Sequence, residues 1–244
     1  MTIRTLSLLL FLLLAACGAN TEAPGTAPTA LEPAVGSEQA ATVQSPEAAF
    51  EADTGVYRCP GQDGDEAISV VTRTVPDGLG VFLPPTLAAE SYQVLTEQQP
   101  GVYRNETLSV SGGGDEITLQ SDASAWGPCR RDHRASIWEH AKLNGVNFRA
   151  TGNEPGWVLE IRHRDSIDLR YDYGAGRLKL PVIEERPDVA ARETRILAGK
   201  GADQVVVLLR GETCQDTMAD ERFPTRVVIE FDGRRLEGCG RPLH

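Results

Sequence analysis

Side chains that could perform acid–base, nucleophilic or metal chemistry are present, but their spacing builds no catalytic pattern. The four histidines lack the short spacing to other ligands that a zinc site needs. Ser111-Gly112-Gly113-Gly114 does not precede a predicted helix, as a phosphate-binding loop would. Glu154 and Asp216 could form a carboxylate pair, but the sequence does not bring them together. We therefore predict a protein that is not an enzyme and that uses no cofactor and no metal.

The first of the five cysteines marks a site of export and lipid attachment. Cys17 follows Leu14-Ala15-Ala16 at the end of an apolar run that is too short to cross a bilayer. The segment resembles the lipobox of bacterial lipoproteins, in which the signal peptide is removed before a cysteine that then carries acyl chains such as palmitate. The resemblance implies a signal peptide over residues 1–16 and a membrane anchor at Cys17.

The residues after Cys17 indicate where the protein is held. Gly18 stands where an aspartate typically retains lipoproteins in the inner membrane, so we predict an outer-membrane anchor with the protein facing the periplasm. Residues 18–49 contain no aromatic side chain and four prolines. Such a composition cannot bury enough apolar surface to offset chain entropy, so we predict a disordered tether over residues 17–50.

The remaining four cysteines predict two disulfides, because exported proteins commonly oxidise an even set of thiols. Three pairings are possible. We predict Cys59–Cys129 and Cys214–Cys239, because a domain boundary lies between Cys129 and Cys214.

A short helix is predicted at this boundary. Ser136 and Glu139 fit a capping box, and Asn144-Gly145 ends the helix after Leu143. The predicted organisation is a signal peptide at 1–16, a lipidated tether at 17–50, a first domain at 51–132, a linker with a helix at 133–146 and a second domain at 147–244.

Both domains show the short alternating or β-branched runs of antiparallel β-structure, punctuated by glycine and proline. We predict a mainly β chain with two small β-barrel or sandwich domains, each with one disulfide. Asp232-Gly233 predicts a hairpin turn, and Trp157 is expected to close one end of the second barrel. Interleaved charges indicate a solvated strand surface: Arg162, Arg164, Asp165, Asp168 and Arg170.

The charge is distributed unevenly. The whole chain has a formal net charge of -11, which is the wrong sign for a nucleic-acid-binding protein. Residues 51–132 carry 13 acidic and 5 basic side chains, whereas residues 133–244 carry 18 of each. We therefore expect a partner of the first domain to be a basic protein.

Several short segments of the first domain occur in an order found in one family of inhibitors. They are Tyr57-Arg58-Cys59, Pro100-Gly101-Val102-Tyr103, Gly114-Asp115-Glu116-Ile117-Thr118-Leu119 and Cys129. Over roughly residues 54–130 they resemble the membrane-bound lysozyme inhibitor of c-type lysozyme (MliC) family. The resemblance implies a small antiparallel barrel that binds c-type lysozyme, with these partner-binding residues: Gly101, Tyr103, Gly113, Gly114 and Asp115.

The chain departs from that family at its two inhibitory side chains. The family inserts a serine and a lysine into the lysozyme cleft, where two carboxylates perform catalysis. The serine position falls on Gln99 or Pro100 here, and the lysine position falls on Gly113. The sequence thus predicts a weakened lysozyme inhibitor.

The second domain gives an alternative function. Phe148–Trp157, Cys214–Asp220 and Asp232–Gly240 resemble an uncharacterised family of bacterial envelope proteins. The alternative is a lipoprotein that binds a small ligand or envelope component through this domain, inside its barrel.

Overall fold

The computed structural model describes residues 53–60, 67–87, 90–122 and 124–244. These residues form two closed, eight-stranded antiparallel barrels, each with one disulfide, so the predicted fold class is confirmed. The predicted signal peptide, the lipid anchor at Cys17 and the tether lie outside the described residues. No helix in the described part of the chain is long and apolar enough to cross a membrane.

The first barrel is a meander in which each strand pairs with the next. Its strands are β1 (Thr54–Cys59), β2 (Ile68–Val75), β3 (Gly78–Phe82), β4 (Tyr92–Gln99), β5 (Val102–Arg104), β6 (Leu108–Gly113), β7 (Glu116–Ser121) and β8 (Ala125–Arg131). The barrel closes where β1 pairs with β8, through Tyr57 opposite Arg131 and Arg58 opposite Arg130. Alternate side chains fill the interior, including Val70, Leu95 and Leu119. The buried Cys59–Cys129 disulfide joins the two closing strands.

The second barrel follows after a helix. Its strands are β9 (Phe148–Asn153), β10 (Gly156–Arg162), β11 (Ser166–Tyr171), β12 (Gly176–Asp188), β13 (Glu193–Ala198), β14 (Val205–Arg210), β17 (Thr225–Phe231) and β18 (Arg234–Pro242). Strand β18 pairs with β9 and closes the sheet. A separate hairpin, β15 (Cys214–Asp216) with β16 (Glu221–Phe223), is inserted before β17, and the Cys214–Cys239 disulfide ties it to β18.

The interior of the second barrel is packed with apolar side chains. Leu159, Ile161 and Leu169 are fully buried there. Trp157 lies in the same core and donates a hydrogen bond from Nε1 to the Glu237 carbonyl at 3.3 Å. Side chains therefore fill the space inside the barrel, where the alternative prediction put a ligand.

Helix α1 (His133–Leu143) connects the barrels, and its start differs from the predicted one. Asp132 caps the helix, because its side chain accepts a hydrogen bond from the Ala135 backbone at 2.9 Å. The predicted capping box of Ser136 with Glu139 is therefore wrong, since Ser136 lies one turn inside. The predicted end after Leu143 is confirmed.

The helix contacts both barrels. On the first barrel, the buried Ser136 hydroxyl accepts a hydrogen bond from the Val56 backbone at 2.9 Å. His140 Nδ1 lies 2.8 Å from an Asp53 carboxylate oxygen. On the second barrel, Trp138 packs in a small cluster with Phe223 and the Cys214–Cys239 disulfide. One helix thus contributes buried side chains to both halves.

Candidate functional site

The predicted partner-binding residues lie on two neighbouring hairpin turns of the first barrel. Gly101 is in the turn between β4 and β5, while Gly113, Gly114 and Asp115 form the end of the β6–β7 hairpin. The Gly112 backbone donates a hydrogen bond to the Gly101 carbonyl at 3.0 Å, so the two turns are in direct contact. We call this pair of turns, Gly101 with Gly112–Asp115, the turn edge.

Gly113 is the glycine of the turn edge that combines open space with a backbone that any residue can adopt. Gly112 has φ +103°, and a Cβ there would lie 2.6 Å from the Glu116 carbonyl oxygen. Gly114 also has a positive φ, of +62°. Gly113 has no atom within 4 Å of an added Cβ and does not have a left-handed backbone. A substituted side chain at Gly113 would therefore project from the turn edge without strain.

The Tyr103 side chain packs toward the barrel core beside the turn edge and does not project from it. It is half-buried on β5 and packs against the core of the first barrel. Burial and, secondarily, the negative charge of the neighbouring Glu97 raise the pKa of its phenol. Glu97 also accepts a hydrogen bond from the Gly101 backbone at 3.3 Å. Tyr103 thus belongs to the base of the turn.

The turn edge is also tied to the start of helix α1. The Gly114 carbonyl accepts a hydrogen bond from the Tyr57 hydroxyl at 2.9 Å. The Asp115 carboxylate, whose side chain is 81% exposed, lies 2.9 Å from Nε2 of His133. His133 in turn lines the cleft described next, so the predicted binding residues border a second concave site.

A cleft of about 620 Å³ lies on the outer surface of the second barrel. It is bounded by helix α1, the outer faces of β9 to β11 and the turn between β15 and β16. Its lining residues are His133, Arg134, Ile137, Trp138, Thr151, Gly152, Asn153, Glu154, Gly156, Trp157, Val158, Arg170, Tyr173, Gly174, Asp216, Met218 and Ala219.

A row of charges, buried except for the half-exposed Arg177, lies next to the floor of the cleft. Arg149 Nη1 is 2.6 Å from Glu160 Oε1, and Arg177 Nη2 is 2.5 Å from Asp168 Oδ2. Asp168 is 5% exposed and Arg170 is 9% exposed. The prediction that these two residues form a solvated surface is therefore wrong, because ion pairs within the row enclose them.

The ion pairs of the row keep the Asp168 carboxyl ionised. Burial opposes ionisation of the Asp168 carboxyl most strongly, but the hydrogen bonds from Arg177 and the positive charges of Arg177, Arg170 and Lys179 together hold its pKa below the usual value. The bond to Asp168 raises the pKa of the Arg177 guanidinium in the same way. Asp168 and Arg177 both stay charged. Their ion pair would be lost if either side chain were neutralised.

Two exposed apolar side chains form part of the cleft wall. Tyr173 is 72% exposed and Met218 is 74% exposed. Asp172 and Tyr173 both have left-handed backbones, with φ of 52° and 55°. The Tyr173 ring packs so closely over Gly156 that a Cβ there would lie 2.6 Å from it. The chain thus holds an aromatic ring at the cleft in a strained turn.

The two carboxylates that the sequence could not bring together both line the cleft. Oδ1 of Asp216 accepts hydrogen bonds from Asn153 Nδ2 at 2.8 Å and from the Met218 and Ala219 backbones at 3.0 and 3.2 Å. Asp216 therefore fixes the turn that carries Met218. Glu154 is exposed at the rim.

Tyr173 was not among the site residues predicted from the sequence. The flanking Asp172 and Gly174 are turn-forming residue types and were the available signal. The sequence around Met218 and Ile137 contains no comparable signal of a site.

No group of three or more His, Cys, Asp or Glu side chains in the described ranges is arranged to hold a metal ion. No protein-family model, curated protein or solved structure matches the chain.

Proposed function

We propose that this protein is a lipid-anchored binding protein of the cell envelope, and that its turn edge binds a basic protein of the c-type lysozyme kind. The observation that carries the proposal is the contact between Gly112 and Gly101, at 3.0 Å, which joins the two loops on which the inhibitor resemblance rests. Two loops that meet at one edge can enter a single cleft of a partner.

The charge of the first domain favours such a partner. Residues 51–132 have a net charge of -8. Near the turn edge, the carboxylates of Glu97, Asp115 and Glu116 are exposed; Asp115 lies next to His133, and Glu116 lies next to Arg130. A negative surface accelerates association with a positively charged protein, and salt weakens this attraction.

The missing lysine limits the expected affinity. A lysine that pairs with a catalytic carboxylate in a desolvated cleft contributes several kcal/mol, or on the order of a thousandfold in affinity. Gly113 supplies no such charge. Inhibition by this chain should therefore be weak and should depend strongly on salt.

The test is an inhibition assay of the full chain against a c-type lysozyme at low and moderate salt. Gly113→Lys restores a cation at a turn position that has free space and no left-handed backbone, and we expect it to tighten inhibition by about tenfold or more. Val189→Lys is the matched control, because it adds the same charge at a residue of the second barrel that is 88% exposed.

Two results would contradict the proposal. One is an absence of binding at low salt by both the natural chain and Gly113→Lys. The other is equal tightening by Gly113→Lys and Val189→Lys, which would show a general charge effect rather than entry of the turn edge. Nanomolar inhibition that does not change with salt concentration would show that residues outside the turn edge make the contact with lysozyme.

The anchor is tested separately. Cys17→Ser should abolish incorporation of labelled palmitate and release the protein from the outer-membrane fraction. Continued labelling of this variant would show that the lipobox interpretation is wrong.

A further inference from the structure

The cleft on the second barrel has the size and position of a small-molecule site. Its volume of about 620 Å³ falls within the range of roughly 300–1,000 Å³ that is usual for ligand pockets. Segments that are far apart in the chain meet there: helix α1, the β9–β10 hairpin and the β15–β16 turn. On the barrel wall, Val158 of β10 pairs with Arg170 of β11, and both line the cleft. The neighbouring Leu159 and Leu169 belong to the core, so Val158 and Arg170 lie on the outer face.

Large apolar side chains form much of the cleft wall. Ile137 and Val158 are half-buried there, whereas Tyr173 is 72% exposed and Met218 is 74% exposed. Neither Tyr173 nor Met218 belongs to a hydrophobic core of the described residues. Exposed apolar groups that gather in a concave site are typical of ligand-binding surfaces.

Tyr173 is held in place by its own turn. Three consecutive residues, Asp172, Tyr173 and Gly174, have positive φ values of 52°, 55° and 92°. Arg234 lies 2.9 Å from the Asp172 carboxylate, and the Tyr173 hydroxyl donates a hydrogen bond to the Asn153 carbonyl at 3.2 Å. A strained turn that is fixed by such partners positions the ring in advance, so a ligand loses less free energy in ordering it.

The arginines of the lining are already engaged with partners of opposite charge. Arg134 lies 2.7 Å from Glu221 and 3.9 Å from Asp216. Arg170 lies 3.5 Å from Glu160. Asp216 also accepts the hydrogen bonds that fix the turn between β15 and β16. An ionised ligand at these groups would therefore have to compete with interactions that exist without it.

The lining as a whole favours neither sign of charge. It contains two arginines and two acidic side chains. The second acid, Glu154, is exposed at the rim, where water screens its charge. A molecule that entered the cleft in an ionised form would lose hydration, whereas an uncharged apolar molecule would lose little. The wall therefore selects an uncharged ligand.

We propose that the cleft binds a small uncharged molecule that carries an aromatic ring, at a site that is independent of the turn edge. The ring lies against Tyr173, because aromatic rings attract one another beyond the area that they bury. It also contacts the Met218 thioether, which packs favourably against aromatic rings and adapts to their shape. The site lies outside the barrel, and it requires neither a lysozyme nor a lysine at Gly113.

The methionine content of the chain provides a direct test. The sequence contains two methionines, Met1 and Met218, and Met218 lines the cleft. In the full chain with isotope-labelled methionine methyl groups, the Met218 resonance is identified by its loss in Met218→Leu. Naphthalenemethanol, an uncharged probe, is then titrated while this resonance is followed. We expect a saturating ring-current shift with a dissociation constant of about 1 mM or below.

Two charged probes with the same ring test the uncharged character of the ligand. Naphthoate and naphthylmethylammonium carry a negative and a positive group in place of the alcohol. We expect both to bind at least about fivefold more weakly than naphthalenemethanol, because each loses hydration in the cleft. Equal or tighter binding of either ion would overturn the assignment of an uncharged ligand.

Variants of Tyr173 test the ring contact. Tyr173→Asn removes the ring and introduces a residue type that tolerates a left-handed backbone, so we expect it to weaken binding of naphthalenemethanol by about fivefold or more. Tyr173→Phe keeps the ring and should weaken binding less. Val189→Asn is the matched control, because it introduces the same side chain at an apolar residue that is 88% exposed. It should leave the affinity unchanged.

Two results would overturn the site itself. One is a Met218 resonance that shifts with none of the three probes. The other is an affinity that Tyr173→Asn lowers no more than Val189→Asn does. No lysozyme takes part in this titration, so failure of the lysozyme proposal and failure of this one are distinguishable.

Discussion

Removing the Ser136 hydroxyl should destabilise the first barrel at its seam. Strands β1 and β8 pair at only two positions. Residues that follow β8 continue the hydrogen bonding to β1. The Asp132 backbone donates a hydrogen bond to the Val56 carbonyl at 2.8 Å, and Ser136 Oγ accepts one from the Val56 backbone at 2.9 Å. Ser136→Ala leaves the buried Val56 N–H without its acceptor.

The size of the effect follows from two opposing contributions. A buried donor that loses its acceptor costs about 1–3 kcal/mol. Alanine favours the helix over serine by about 0.5 kcal/mol, which offsets part of that loss. The net destabilisation should be about 0.5–2.5 kcal/mol. A loss of about 1.5 kcal/mol in a domain of this size lowers the melting temperature by about 6–12 °C.

Thermal unfolding and hydrogen exchange together test this reasoning. The Val56 amide should exchange faster in Ser136→Ala, and the unfolding midpoint of the first barrel should fall. Ser69→Ala is the control, because Ser69 is exposed on β2, and it should change stability by less than about 0.5 kcal/mol. An unchanged Val56 exchange rate in Ser136→Ala would refute the role given to this hydroxyl.

Three further outcomes are expected. Gly238→Ala should destabilise the second barrel by about 1–3 kcal/mol in urea unfolding, because its Cβ would lie 2.6 Å from the Trp157 ring; equal stability would contradict this. Because the pKa of Asp168 is lower in the folded chain, its stabilisation is complete above the ordinary aspartate pKa and is lost as the pH falls through the folded value. Asp168→Asn should therefore flatten the loss of stability below about pH 4. Non-reducing peptide mapping should find Cys214 joined to Cys239, and replacing both with alanine should cost roughly 3.5 kcal/mol for a separation of 25 residues; a mixed pairing would contradict the assignment.

Local sequence patterns predicted most of the fold. They failed where contacts between segments far apart in the chain determine the structure. The alternating runs predicted the majority of strands, and the cysteine arithmetic predicted both disulfides. Strand β8 has a weak strand pattern because Gly127-Pro128 interrupts it, and β5 has a weak pattern because it has only three residues. In both cases pairing with neighbouring strands overrides weak local preference.

The cleft was beyond sequence reasoning for the same reason. Arg134 and Met218 line it together although 84 positions separate them in the chain. The charges at Asp168 and Arg170 have the pattern of an exposed strand, and only their partners on adjoining strands show that they are buried. The residues of the turn edge, in contrast, were predicted because they lie in short segments whose order resembles that of an inhibitor family.

A closed barrel also determines how other chains can attach to it. Since β1 meets β8 and β9 meets β18, neither barrel offers an unpaired strand to which a foreign strand could add. Among the strands that the structure describes, the hairpin β15–β16 lies outside the closed ladders, and its strands have three residues each. Copies of the chain brought close together would therefore not template one another into a continuous sheet. Recognition has to use turns and side chains, which evolution can alter one residue at a time.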